Sequence, residues 1–201
     1  MKSAQEWFDR FCNAFRERRE STREFGVGVN HQQWTKQMMD FLKELGEKEG
    51  FDVGLEKYGR FDQFWKGTDY NIAIEHEIDN AGIIKSELDK LLHESCELKV
   101  LITYVRESKF AFQPYEISRN VEKKLNENLS CLTPRAEILL LIGTKSTQAA
   151  DSTRTFMDRT TDWFARRYCV GRIRIEIIKP SMSQAASTAW KNRKGQAKKM
   201  S

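Results

Sequence analysis

The chain is predicted to be an α/β protein built on a central mixed β-sheet of about five to six strands flanked by helices. Three observations carry that prediction. Apolar and polar residues alternate in "YNIAIEHEID" and "RIRIEIIK", the period-two pattern of strands with two unlike faces. Two further runs, "LKVLITYV" and "EILLLIGT", are apolar on both faces, as strands buried between layers are. Between these runs, apolar residues recur at helical spacing. Short strands in succession followed by alternating helix and strand give a sheet that is part antiparallel and part parallel.

The elements follow in order. Residues 1–25 carry Trp7, Phe11 and Phe15 four apart and then Arg16, Arg18, Arg19 and Arg23, which predicts an amphipathic helix with a basic end. "GVGV" separates it from a second helix over 31–48, striped by Trp34, Met38, Phe41, Leu42 and Leu45 and ending near Gly50. Strands are expected near 51–57, 60–66 and 70–78, with "KGTD" as a tight turn between the last two. Ile84, Leu88, Leu91 and Leu92 mark a helix before the strand at 98–105. Pro114 suits the first turn of the next helix, whose stripe is Ile117, Val121, Leu125 and Leu129. After "EILLLIGT", a helix is expected over 151–167, then a strand over 172–179. Residues 1–180 read as one domain with its core over 31–180, and 181–201 as a basic, flexible tail.

Composition limits the function less than the pattern does. Thirty-four Lys and Arg against 29 Asp and Glu give a net charge of +5, compatible with a polyanionic partner without requiring one. Cys12, Cys96, Cys131 and Cys169 form no CxxC pair, which argues against a zinc knuckle and points to a reducing, cytoplasmic setting. The longest aliphatic run, Ile138 to Ile142, is too short to span a bilayer, and the charged N-terminus has no secretory pattern. No membrane association and no organic cofactor are expected.

The sharpest feature is the acidic face of the third strand. Ile72, Ile74, His76 and Ile78 point one way, which makes His76 a core histidine, whereas Ala73, Glu75 and Glu77 point the other. A site for a hard divalent cation needs carboxylates from separate segments. Asp69 lies about 20 Å from Glu75 along one strand at roughly 3.3 Å per residue, too far to share an ion. With a turn centred on Gly67 and Thr68, Asp62 falls opposite Ala73 and diagonal to Glu75 on the same face, within reach of a shared ion. A slip of one residue would put Asp62 on the opposite face.

This arrangement of helix, β-meander, Asp on the second strand, "IAIEHE" on the third and the helix "IIKSELDKLL" resembles the PD-(D/E)XK nuclease superfamily, the restriction-endonuclease-like fold, over about residues 31–145. The resemblance implies Mg²⁺ or Mn²⁺ held by Asp62 and Glu75, with Glu77 where the family commonly has Lys, an E-x-E form of the motif. It implies a further ligand from an early helix, Glu44 or Glu47. Lys90 is the candidate for a lysine moved to the following helix, although its helical angle against Ile84, Leu88, Leu91 and Leu92 points to solvent.

The implied activity is that of a metal-dependent endonuclease hydrolysing DNA phosphodiester bonds, of restriction, defence or repair type. Glu77 would orient or deprotonate the attacking water. Arg16, Arg18, Arg19 and Arg23 with Lys191, Arg193 and Lys194 are the expected DNA contacts, and a homodimer would supply two sites for paired cuts. Two rival expectations stand beside it. Without the E-x-K lysine, the fold is a silent DNA-binding or assembly module; with the N-terminal aromatic helix exposed, it is a protein-interaction factor.

Overall fold

The computed structural model describes residues 3–22, 24–26, 29–55, 62–78, 86–106, 113–132, 134, 136–145, 163–170 and 175–178. Two helices open the chain. Helix α1 (Ala4–Ser21) is capped by Ser3, whose side chain accepts from the N–H of Glu6, and α2 (His31–Lys48) by Asn30 in a reciprocal capping box with Gln33. Strands β1 (Asp52–Leu55), β2 (Gln63–Lys66) and β3 (Ile72–Glu77) follow, then the short helix α3 (Leu88–Leu92) and β4 (Leu98–Arg106). Helix α4 (Gln113–Glu127), with Pro114 in its first turn, leads to β5 (Glu137–Lys145), β6 (Phe164–Val170) and β7 (Ile175–Ile178).

The described strands form one seven-stranded sheet in chain order, one or two more than the sequence predicts. β1, β2 and β3 are antiparallel, β3, β4 and β5 parallel, and β5, β6 and β7 antiparallel again. The added strand is β6. The predicted helix over 151–167 is corrected at its end, because Phe164 to Arg167 belong to this strand; 151–162 lie outside the described residues. The segment "FARRYCV" alternates Phe164, Arg166 and Tyr168 with Ala165, Arg167 and Cys169, and pairing with β5 rewards that alternation with a two-faced strand.

Each sheet face has its own apolar layer. One packs against α1 and α2 through a dense aromatic group in which Trp7 stacks on Phe11 at 5.2 Å and Phe11 meets the edge of Trp163 at 5.1 Å. The Trp7, Phe11 and Phe15 stripe is therefore internal packing. Gly46 lets α2 settle onto the sheet: a Cβ there would stand 2.7 Å from Val53 and 2.8 Å from Trp65. The opposite face packs against α3 and α4 through Leu88, Leu91, Val121, Leu101 and Leu140. Among the described residues no helix is long and apolar enough to cross a membrane.

Candidate active site

β3 divides its side chains between these layers as the sequence predicts. Ile72, Ile74 and His76 enter the α1 and α2 layer, while Ala73 lies in the α3 and α4 layer and sets the side to which Glu75 and Glu77 project. His76 is a core residue: its Nε2 lies 2.9 Å from the hydroxyl of Tyr104, and burial pushes its pKa down to about 4. The acidic face is not a wet strand surface. Glu75 is 1% exposed.

The β2–β3 register differs from the predicted one by two residues. Gln63 faces Ile74 and Phe64 faces Ala73, so the connection is longer than a two-residue turn and Asp62, just before β2, falls level with Glu75 instead of diagonal to it. Within that connection Gly67 leaves room for the backbone, since the carbonyl oxygen of Tyr70 comes within 2.6 Å of where a Cβ would stand. A two-residue shift preserves the face, so the juxtaposition survives. Asp62 Oδ2 accepts a hydrogen bond of 2.7 Å from the backbone N–H of His76, which ties its carboxylate to β3 beside Glu75.

α3 completes the group. Lys90 Nζ lies 3.6 Å from Glu75 Oε1 and donates to Glu87, a residue that sequence reasoning missed. Lys90 is partly exposed, as its helical angle predicts, but its ammonium turns back toward Glu75 and Glu87 at the edge of the face. The i, i+3 spacing of Glu87 and Lys90 was the available signal for Glu87.

The electrostatics follow from four acids beside one lysine. Burial pushes the Glu75 carboxyl up to about 9, helped by the charges of Asp62 and Glu87 and opposed by Lys90. Burial and the neighbouring acids thus both favour the neutral form of Glu75. Burial also raises Asp62, which its hydrogen bond from His76 partly offsets, with Glu87 and Glu77 adding repulsion. Glu87 is pushed up by burial but ends below the ordinary range because Lys90, Ser86 and Glu75 hydrogen-bond to it. Lys90 loses some basicity to desolvation, yet Glu87, Glu75 and Asp62 hold it above its ordinary value.

Asp62, Glu75, Glu77 and Lys90 therefore form one electrostatically coupled group. Glu44 does not join them: it sits on α2, in the opposite layer, exposed and 2.8 Å from Arg18. Glu47 is likewise exposed and pairs with Lys43. Arg16, Arg18 and Arg19 also belong to that opposite layer, on α1, while Arg23, Lys191, Arg193 and Lys194 lie outside the described residues. A second lysine on the acidic face, Lys99, is fully buried opposite Ala73 and donates to the carbonyl of Cys96 at 3.2 Å.

Among the described residues no three His, Cys, Asp or Glu side chains are arranged to hold a metal ion by themselves. Glu75 Oε1 is buried with no hydrogen-bond partner among the described residues and lies at ion-pair distance from the Lys90 ammonium. Mg²⁺ commonly takes just one or two protein carboxylates and completes its shell with water and substrate phosphate, and on this face Asp62 and Glu75 are the carboxylates that would supply them. Comparisons of the chain with protein-family models, curated proteins and solved structures return no match.

Proposed function

We propose that this chain is a metal-dependent endonuclease that hydrolyses phosphodiester bonds of DNA, on a restriction-endonuclease-like core. The observation that carries the proposal is the hydrogen bond from the His76 N–H to Asp62, which sets a second carboxylate beside buried Glu75 while Lys90 reaches Glu75 from α3. One carboxylate on β3, one just before β2 and one lysine offer ligands for a divalent cation and a positive charge for the phosphate.

Mg²⁺ or Mn²⁺, when bound, supplies charge neutralisation at the phosphate and a more acidic water. Asp62 and Glu75 are the ligands this chain offers. Lys90 stays protonated and can stabilise the negative charge that develops on the phosphate. Glu77, more exposed than Glu75 and next to Asp62, is placed to orient or deprotonate the attacking water. A homodimer would bring two such sites to the two strands. We place the protein in the reducing cytoplasm, where its cysteines, all four unpaired, would remain so.

The test is nicking of supercoiled plasmid and of single-stranded DNA with Mg²⁺ or Mn²⁺, comparing the wild type with Glu75→Ala. Metal-dependent cleavage by the wild type, lost in the variant with DNA binding retained, is the expected result. Salt-dependent binding with no cleavage by either protein would replace the reading with a silent DNA-binding module. The ion pairing of Lys90 with Glu75 and Glu87 is the observation on that side, because it already neutralises part of the acidic group.

A further inference from the structure

Glu75 and Arg166 occupy one row across the sheet. Glu75 is paired with Leu101, Leu101 with Leu140, and Leu140 with Arg166. Paired residues share a face, so Arg166 projects on the Glu75 side, three strand spacings away, or about 14 Å. The neighbouring row joins Glu77 through Thr103 and Ile142 to Phe164.

Arg166 is held in a particular way. Its guanidinium lies 5.2 Å from the ring centre of Phe164 and 5.8 Å from that of Tyr115, and these two rings meet edge to face at 5.3 Å. Arg167 points to the other face and pairs with Glu137 at 3.3 Å, but no carboxylate pairs with Arg166 among the described residues. Its Nε, shielded from solvent, has no hydrogen-bond acceptor there. A planar fork stacked on two rings has already lost much of its rotamer freedom, which suits it to an anion with in-plane acceptors.

We propose that Arg166, oriented by Tyr115 and Phe164, binds a backbone phosphate of the DNA strand whose scissile phosphate lies at Glu75 and Lys90; this rests on the nuclease reading above. The contact is sequence-independent. It supplies a positive charge on the Glu75 side of the sheet, whereas the arginines of α1 lie in the opposite layer.

The test is binding of the full chain to fluorescent single-stranded and duplex oligonucleotides in EDTA, over a salt series, for the wild type, Arg166→Met and Arg119→Met. Methionine keeps an apolar stem against the rings, and Arg119 is an exposed arginine of α4 that controls for lost net charge. Arg166→Met should bind about tenfold more weakly than Arg119→Met. Its salt slope should be flatter by about 0.7 on a single strand or 0.9 on a duplex, the affected arm identifying the form bound.

Equal binding by the two variants, with matching thermal unfolding, would overturn the contact and leave the nuclease reading to its Glu75 test. Loss specific to Arg166 in a protein that never cleaves would uphold the contact and defeat the nuclease reading. A wild type that binds neither oligonucleotide defeats both. Should Arg166→Met unfold, Arg166→Lys is measured instead; it retains charge without the fork, and wild-type affinity and slope would count against oriented phosphate binding.

Discussion

Lys90 Nζ stands 3.6 Å from Glu75 Oε1, joining a helix of five residues to the central strand of an acidic face. The lysine is partly exposed while the glutamate is buried, so the pair has an outer cation and an inner acid. Replacing Lys90 with Met should lower metal-dependent cleavage by about 10²-fold, the order seen when one preorganised charge-stabilising donor is removed, and leave DNA affinity within about threefold. Single-turnover cleavage alongside binding separates the two effects.

Asp62 is held by one hydrogen bond from the His76 N–H. Asp62→Asn retains an acceptor for that donor and loses only the charge, so thermal stability should stay close to wild type while cleavage is lost and Mn²⁺ binding, read by calorimetry, weakens at least tenfold. A variant that still binds Mn²⁺ normally would remove Asp62 from the proposed ligand set.

The raised Glu75 carboxyl makes stability depend on pH. In the unfolded chain this group ionises near 4.5, but in the folded protein only near 9, so between these values the native state holds the extra proton. Stability from this group is complete below about 4.5 and is lost as pH rises toward 9. Chemical denaturation in EDTA should show the wild type losing stability across that window relative to Glu75→Gln. A constant difference between the two proteins from pH 5 to 9 would contradict the raised value.

His76 contributes with the opposite sign. Its pKa is about 4 when folded and 6.5 when unfolded, so the stability it supplies is present above 6.5 and lost as pH falls toward 4. His76→Leu should remove that acid dependence and, by taking the imidazole partner from the Tyr104 hydroxyl, cost about 1–3 kcal/mol at pH 7 in denaturant unfolding. Adding Tyr104→Phe should recover part of the loss.

Close approach of α2 to the sheet depends on Gly46. Gly46→Ala places a Cβ 2.7 Å from Val53 and 2.8 Å from Trp65, neither of them a flexible chain end. Overpacking of this kind should destabilise by about 1–3 kcal/mol in denaturant unfolding, with metal-independent DNA binding unchanged under native conditions.

Much of the fold was legible because hydrophobic period is a local property. The bounds of α2, the faces of β3 and the burial of the strands at 98–106 and 137–145 follow from the spacing of residues such as Trp34, Ile74, Val100 and Leu140. At Phe164–Arg167 the short alternation is outweighed by the helical spacing expected over 151–167, and pairing with β5 makes the segment a strand. Glu44 was misplaced because a sequence shows that α2 has two faces but not against which side of the sheet the helix packs.

The alternation in β3 is enough to set Glu75 and Glu77 on one face and to turn His76 from them into the core, since side-chain direction along a strand has a fixed period of two. Folding supplies the β2–β3 register that brings Asp62 level with Glu75, the entry of Lys90 and Glu87 from α3, and the alignment of Arg166 with Glu75 across four strands. Those relationships join segments distant in the chain, and they are set by packing and backbone pairing between elements, which no local pattern encodes.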